Sequence, residues 1–182
     1  MADRDLGTDP TARGIDDLIE RYADQTGLAL ERPEIGQWVV ILPGEQKLRT
    51  TVLFALGSHA VSVNAFVIRA PDENREAFYR RLLENNCQGY VVAYCLDHLG
   101  DVYLVGRLAV GRLDEEELDR ILGSIATMAD GAFNALLELG FSSAIRREWQ
   151  WRLSRGEPTT NLTAFAHLAQ PSQASVRQDE VP

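Results

Sequence analysis

The chain contains very little cysteine, and its two thiols are poorly spaced for shared chemistry. Cys87 and Cys95 lie eight positions apart in the sequence, whereas zinc sites and redox pairs use shorter or repeated spacings. The spacing therefore predicts two reduced thiols and no disulfide framework, as expected for a reducing compartment.

Long hydrophobic runs are also missing. The longest, such as residues 90–96, fall well short of the roughly 20 apolar residues that a transmembrane helix needs. Residues 1–5 are polar and acidic, where a secretory signal would begin with basic residues and continue with an apolar run. We therefore expect a cytoplasmic protein with no membrane association.

Basic residues are outnumbered by acidic ones. The sequence holds 27 Asp and Glu against 18 Lys and Arg, which gives a net charge of −9. Because nucleic-acid-binding proteins displace phosphate counterions with Lys and Arg, this balance argues against nucleic acid as a partner. The charge is uneven, since residues 145–155 hold four Arg and one Glu.

No recognisable catalytic set is present. A nucleophile needs a base within hydrogen-bond reach, but His59 and His98 fall in predicted turns and His167 lies near the C-terminal end. Asp97, His98 and Asp101 share one loop, but metal loops usually supply more ligands at firmer spacing. No glycine-rich phosphate loop occurs. We therefore assign no catalytic, cofactor-binding or metal-ligating residue, and we expect no cofactor and no enzyme.

What the chain does contain is the length and composition of one folded domain. Its 182 residues are 45% hydrophobic and 25% charged, which suffices for a single core. We predict a flexible N-terminus over 1–9, one domain over 10–155 and a largely disordered tail over 156–182. From hydrophobic periodicity, turn residues and helix caps, we predict helices over 10–26, 72–86, 114–139 and 142–153, and strands over 37–42, 48–56, 60–70, 90–96 and 102–108.

The best-patterned element is the helix predicted over 114–139. Asp114 begins it, with Glu117 three residues later as in a capping box, and Gly140 is expected to end it. Its apolar residues recur at alternating spacings of four and three, so one face is apolar. We predict that this face packs on the chain's own sheet; a helix–helix dimer seam is the alternative. The residues of the face are Leu118, Leu122, Ile125, Ala129, Ala132, Leu136 and Leu139.

The order of these elements predicts an α+β fold. The connections within the first three strands, and between the last two, are too short for parallel crossovers. The expected architecture is a helix, a three-stranded antiparallel meander, a helix, a β-hairpin and a long C-terminal helix. One sheet face is then covered, and the other is open or paired with another subunit.

Several segments resemble the actinobacterial branch of the YbjN-domain proteins. They are DVYLVGRL at 101–108, DEEELD at 114–119, AD at 129–130, LLELGF at 136–141 and RREWQWR at 146–152. The resemblance covers about residues 10–155. It implies the fold of type III secretion chaperones, which bind extended segments of partner proteins and commonly dimerise. It also implies a sensory-transduction regulator, and it carries over no catalytic residue.

The stretch just past the long helix is the best candidate for a binding surface. Arg and Trp dominate interface hot spots, and they interleave here. One interpretation is a partner-binding face; another has the tryptophans sealing the fold while the arginines pair with carboxylates. A third, nucleic-acid binding by stacking and phosphate contact, conflicts with the acidic total. The candidate partner-binding residues are Arg146, Arg147, Trp149, Trp151 and Arg152.

These observations predict a non-enzymatic protein-binding module. It would be chaperone-like, or a regulator of sensory transduction or stress, that recognises a partner polypeptide and forms a homodimer. The alternative is a small-molecule-sensing domain or an enzyme with a pocket between the sheet and the helices.

Overall fold

Six antiparallel strands form one sheet in the computed structural model, which describes residues 10–169. The spatial order is β1-β2-β3-β4-β6-β5, so that β6 rather than β5 pairs with β4 and joins the meander to the hairpin. The strands are β1 (Ala29–Glu31), β2 (Gln37–Pro43), β3 (Arg49–Leu56), β4 (Ala60–Ile68), β5 (Val92–Leu96) and β6 (Val102–Ala109).

Four α-helices accompany the sheet within the described residues, and the predicted α+β class is confirmed. Short 3₁₀ segments follow α2, β6 and α4, at Asn86–Gln88, Val110–Arg112 and Thr160–Ala169. The helices are α1 (Pro10–Thr26), α2 (Arg75–Asn85), α3 (Glu115–Gly131) and α4 (Phe133–Arg155). Over residues 10–169, no helix is both long and apolar enough to cross a bilayer.

Alternation along the strands buries one sheet face. Val52, Val63 and Leu104 have no exposed surface, and they belong to one hydrophobic cluster that also contains the inner faces of α1, α3 and α4. Because side chains alternate between faces in a strand, the residues between them point to the opposite face, which is half-buried or exposed. The helices thus cover one face of the sheet.

The long helix predicted over 114–139 is two helices. Asp114 caps α3 as expected, its carboxylate accepting the Glu117 N–H at 2.8 Å. The helix ends at Gly131, and α4 begins at Phe133. The Asp130 carboxylate accepts the backbone N–H groups of Gln46 and Lys47 at 2.9 and 2.7 Å, so a turn far away in the sequence is fixed at the break. The predicted apolar face packs inward, with Leu118, Ile125, Ala129 and Leu136 fully buried.

Helical geometry is interrupted just after Gly140, where the helix was predicted to end, but Gly140 does not adopt the left-handed conformation of a cap. It lies inside α4, just before a kink at Phe141 (φ −144°, ψ 16°). Its carbonyl accepts the N–H groups of Asp72 at 3.0 Å and Glu73 at 3.2 Å. A Cβ at this position would lie 2.9 Å from the Cβ of Pro71. Glycine is therefore required for close approach and not for a left-handed cap.

The chain beyond α4 folds back on the domain. Thr160–Ala169 is a kinked 3₁₀ segment, and Phe165 is only 5% exposed within the common core. Order thus continues past residue 155, where the tail was predicted to begin, because Phe165 finds an apolar site against α4. The predictions for residues 1–9 and 170–182 lie outside the described residues.

Candidate functional site

The uncovered side of the sheet forms a continuous surface that we call the open face. One row of directly paired residues crosses all six strands, from the β1 edge to the β5 edge. Four of its six members are aliphatic, one end carries a carboxylate, and an exposed amide, Asn64, lies between Leu53 and Val105. The row consists of Glu31, Val39, Leu53, Asn64, Val105 and Ala93.

Aromatic side chains extend the open face beside this row. Phe66 on β4 pairs with Tyr103 on β6, and their rings meet edge to face with centroids 5.4 Å apart. Phe66 is 40% exposed, which is unusual for a large apolar residue inside a sheet. Ile41 lies half-buried on the same face, next to Val39. The open face therefore presents aliphatic and aromatic surface with polar groups around it.

Lys47 lies at the corner of the open face, next to an irregularity in β4. The pairing of β4 with β6 shifts register between Phe66 and Ile68, and the Lys47 ammonium donates a hydrogen bond to the Phe66 carbonyl. The Nζ atom lies 5.4 Å from the Phe66 ring centroid and 5.9 Å from that of Phe133. Burial of the ammonium lowers the pKa of Lys47 to about 8, and the nearby Asp130 carboxylate offsets only part of this effect.

The β5 edge of the sheet is closed by a side chain. The Asn86 amide oxygen accepts the Tyr94 N–H at 2.7 Å, and the amide nitrogen donates to the Tyr94 carbonyl at 3.5 Å. The Val92 N–H donates to the Tyr90 carbonyl at 2.7 Å. Because these groups are the ones that an added strand would bind, strand addition at β5 is blocked at its centre.

Exposed leucines lie near this closed edge. Leu83 on α2 is 68% exposed, Leu96 at the end of β5 is 48% exposed, and Leu99 in the β5–β6 loop is 68% exposed. A Cβ at Gly100 would lie 3.7 Å from the Tyr79 hydroxyl, so the flank of α2 meets the β5–β6 loop. We call Tyr79, Leu83, Leu96 and Leu99 the leucine patch.

The predicted arginine and tryptophan site is divided by the helix on which it lies. Trp149 is half-buried, and Arg152 pairs with Glu148 at 2.7 Å and donates to the Pro158 carbonyl at 3.0 Å. Arg152 therefore stabilises the fold-back after α4. Trp151, by contrast, is 44% exposed.

The exposed half of that site forms a stripe along α4. Arg147, Trp151 and Arg155 follow at helical spacing, and the Arg155 guanidinium lies 4.9 Å from the Trp151 ring centroid. Arg146 is also exposed. Arg146 and Arg147 lie close enough to Glu73 to contribute to its lowered pKa, although the backbone and hydroxyl bonds from Ser143 contribute more.

The three histidines and the acidic β5–β6 loop do not come together in one site: two histidines are exposed, one lies beside a carboxylate, and the loop's Asp97 binds backbone N–H groups. His59 and His98 are exposed, and the His167 ring lies 3.0 Å from the Glu138 carboxylate. The Asp97 carboxylate accepts the N–H groups of Leu99 and Asp101, both at 2.9 Å. Over residues 10–169, no group of three His, Cys, Asp or Glu side chains could hold a metal ion.

Several open clefts border the domain, and two of them lie between secondary-structure elements. One, of about 400 Å³, lies between α1 and the β1–β2 loop. At its wall the Asp16 carboxylate accepts the Trp38 indole N–H at 2.7 Å and the Arg32 Nε–H at 2.8 Å. Burial would raise the pKa of Asp16, but these bonds outweigh it and leave the pKa lowered. The other, of about 460 Å³, lies between α2 and α3 above Tyr94.

The sequence predicted that one sheet face is open, but it did not identify the residues of that face, although they had a detectable signal. The notable pattern is that the outward positions of the predicted strands are also apolar, as at Val39, Leu53 and Val105. A sheet face exposed to water usually alternates to polar residues. What the sequence did not supply is the pairing of β4 with β6, which joins these positions into one row.

The chain matches one protein family and has mycobacterial relatives of high sequence identity. The family described as "YbjN: Putative bacterial sensory transduction regulator" matches residues 16–138. "Uncharacterized protein Rv0487" of Mycobacterium tuberculosis is 55% identical over 142 residues, which is 78% of each chain. "Uncharacterized protein ML2442" of Mycobacterium leprae is 52% identical over 130 residues, 71% of each chain.

Two solved structures share the fold at low sequence identity. The ExsC-ExsE complex matches with a TM-score of 0.53 and 19% identity, covering 71% of this chain and 97% of that one. The HopA1-SchA chaperone-effector complex matches with a TM-score of 0.51 and 11% identity, covering 68% and 96%. The architecture is thus similar to that of type III secretion chaperones, as predicted.

Proposed function

The chain belongs to the YbjN family, and on that premise we propose that it is a non-enzymatic, chaperone-like protein-binding module. Its partner is another polypeptide, and the open face is where that partner binds. The observation that carries this proposal is the row of aliphatic residues across an uncovered sheet. Contiguous exposed apolar surface with a polar surround is typical of protein interaction sites.

The shape and chemistry of the open face favour a polypeptide over a small molecule. Small ligands bind in concave sites that bury most of their surface, whereas a sheet face is broad and shallow. Its aliphatic centre at Leu53 and Val105 suits the apolar side of an extended or helical segment. Burial of that side would supply affinity, while charges at the rim such as Glu31, Lys47 and Arg107 would set specificity.

The structural neighbours support the proposal by analogy. HopA1-SchA is a chaperone-effector complex, and ExsC-ExsE is a complex of two proteins. Fold likeness alone does not establish a function, so we rest the proposal on the open face. A regulatory role would follow if partner binding withholds or releases an active polypeptide.

We further propose that the protein forms a homodimer through the leucine patch. Leu83 and Leu99 are each 68% exposed, and burying them against a second copy would remove apolar surface from water. The closed β5 edge beside them favours side-chain packing between α2 helices over a sheet that continues through both subunits.

Leu83→Glu should therefore convert a dimer into a monomer, because a buried carboxylate at the seam costs several kcal/mol. Light scattering after size-exclusion chromatography measures the mass directly. Leu48→Glu, at a residue 87% exposed in the β2–β3 turn, is the matched control and should leave the mass unchanged. A wild-type protein that is already monomeric at micromolar concentration would contradict the dimer.

The exposed part of the arginine and tryptophan site is proposed as a second contact region for the partner. Arg146, Arg147 and Trp151 are exposed there, whereas Trp149 is half-buried and Arg152 is engaged in the fold-back. An acidic partner segment fits these charges best.

A small-molecule sensor is the second candidate function. The cleft between α2 and α3 has a volume of about 460 Å³, which lies within the range of ligand sites. A metabolite that binds there in the native state would raise the melting temperature.

Purification of the protein from its native host tests the open face. The wild type should retain a stoichiometric protein partner. Leu53→Glu should lose it, because a carboxylate at the centre of the aliphatic row must be desolvated on binding. Leu48→Glu makes the same chemical change outside the open face and should keep the partner. Loss of the partner from both variants, or from neither, would count against the open face, provided that melting curves show both variants folded.

A further inference from the structure

Lys47 is the single lysine of the sequence, and every other residue among its 18 Lys and Arg is an arginine. Arginine keeps its proton under all physiological conditions, whereas a lysine amine becomes a nucleophile once it loses one. The only side-chain amine of the chain lies at the corner of the open face, between the β2–β3 turn, β4 and the start of α4.

The surroundings of this amine are unusual for a surface cation. Its hydrogen bond goes to the Phe66 carbonyl, and its Nζ lies 5.4 and 5.9 Å from the ring centroids of Phe66 and Phe133. The side chain is half-buried, so the amine is both partly dehydrated and still reachable from solvent. The Asp130 carboxylate, the nearest countercharge, binds backbone N–H groups of Gln46 and Lys47.

The same geometry positions the neutral amine for reaction. A deprotonated Nζ keeps two hydrogens, and one of them is sufficient to maintain the bond to the Phe66 carbonyl. The lone pair then points away from that carbonyl. The backbone of Lys47, from which the side chain with this amine extends, is fixed because Asp130 accepts the Lys47 N–H at 2.7 Å. The nucleophile is thus held in place before any reagent arrives.

We propose that Lys47 is an acylation site that reacts with small activated acyl groups, such as acyl phosphates or acyl thioesters. The ammonium first loses a proton to water, and the nitrogen then attacks the acyl carbonyl carbon. A C–N amide bond forms, and the C–O bond to phosphate or the C–S bond to the thiol breaks. The leaving group departs with the bonding electron pair, and a second proton passes from nitrogen to the leaving group or to water. No oxidant or reductant takes part.

Acylation would change the corner of the open face. It removes the only lysine charge, and with it the cation–π contacts to Phe66 and Phe133. It also places an amide and an alkyl group beside the exposed Phe66 ring. The modification depends only on the local geometry of Lys47, so it holds whether or not the open face binds a partner.

The test compares the rate of acylation in the folded and unfolded chain. The full-length protein is incubated with acetyl phosphate at pH 7.5, in buffer and in guanidinium chloride, and adducts are located by peptide mapping. A parallel arm uses acetyl-coenzyme A, which distinguishes the phosphate source from the thioester source. With the amine pKa lowered to about 8, the gain in free amine exceeds the loss of nucleophilicity, so we expect Lys47 to react about tenfold faster when folded.

The N-terminal α-amine serves as the internal reference for reagent activity in each sample. Phe133→Ala removes one ring from the surroundings of the amine and lets water reach it. Because burial is what lowers the pKa of Lys47, the acylation rate of Lys47 in the folded variant should fall towards the rate in the unfolded chain. Folding of this variant is checked by its cooperative melting curve, while the wild-type comparison needs no variant at all. A folded rate equal to or below the unfolded rate with both reagents would show that burial protects Lys47, and it would overturn the proposal.

Discussion

Asp130 and Glu73 each use one carboxylate to bind backbone N–H groups of a segment far away in the sequence. Asp130 holds the β2–β3 turn at the end of α3. Glu73 accepts the Ser143 N–H at 2.6 Å and its hydroxyl at 2.9 Å, which caps the second half of α4 just after its kink. Charge-assisted bonds of this kind are stronger than neutral ones. Single acidic residues thereby fix the junctions between elements.

The Lys47 ammonium, another single residue, should make the stability of the protein depend on pH. Its pKa is about 8 in the folded protein, because burial disfavours the charge, against an ordinary value of 10.5. Between these values the unfolded chain binds more protons than the folded one, so the free energy of unfolding should rise with pH. Chemical denaturation at pH 7, 8, 9 and 10 should show this rise.

Lys47→Met provides the comparison, since methionine fills similar volume and does not titrate. The variant should lack the increase between pH 8 and 10, whatever its stability at pH 7. Tyr22 and Tyr94, whose pKa values are raised to about 12, lower stability only above pH 10. Identical pH profiles for the wild type and the variant would rule out Lys47 as the group responsible.

At the scale of elements, the crossing of α2 and α4 depends on Gly140. The glycine lies against Pro71 and Phe78, and its carbonyl receives two N–H groups from the segment before α2. Phe141 follows with non-helical dihedral angles, and the Arg69 guanidinium stacks on its ring at 4.2 Å. The kink in α4 thus coincides with its closest contact to α2.

Gly140→Ala should destabilise the protein by about 1–3 kcal/mol, because the new methyl group forces the two elements apart. Its Cβ would lie 2.9 Å from the Pro71 Cβ and 3.0 Å from the Phe78 ring. Urea denaturation measures the change in the free energy of unfolding.

Gly123→Ala is the matched control on α3. No atom lies within 4 Å of a Cβ at that exposed position, so helix propensity alone applies and stability should rise by up to about 1 kcal/mol. Two variants of equal stability would mean that the approach of α4 to Pro71 is not tight.

The elements themselves were largely predictable, and their boundaries were less so. Alternation along the strands predicted β2 to β6, and α1 begins and ends at the predicted residues. The strand β1 was missed, because a strand of three residues carries too little periodicity. The break at Ala132 directly follows Gly131, a residue that weakens a helix, but the sequence did not show that the helix ends there. The break is fixed by Asp130 binding the turn at residues 46–47, a contact that local pattern does not reveal.

At the scale of the whole molecule, the helices within residues 10–169 cover one face of the six-stranded sheet and leave the other face uncovered by described residues. The sequence predicted one covered face, but it did not identify the residues of the other. Those residues become one surface only through the pairing of β4 with β6. The arginine and tryptophan site stays a prediction, and folding places its members in different surroundings: Trp149 is half-buried and Arg152 bonds to the fold-back, while Trp151 remains exposed.

The leucine patch and the open face consist of different residues, and both include part of β5. The patch belongs to α2 and the end of the sheet at β5, whereas the row through Leu53 crosses the sheet from edge to edge. The proposed contact with a second copy and the proposed contact with a partner polypeptide can therefore be tested with separate variants. Their variants should separate the two effects: Leu83→Glu alters mass, and Leu53→Glu alters partner retention.

Site-specific photo-crosslinking tests the open face most directly. A benzoyl-phenylalanine introduced in place of Leu53, and separately in place of Leu48, is irradiated in cells of the native host. We predict a discrete adduct with another protein from position 53 and none from position 48, since only the former lies on the open face. Adducts of equal yield from both positions, or none from position 53 in folded protein, would contradict binding at the open face.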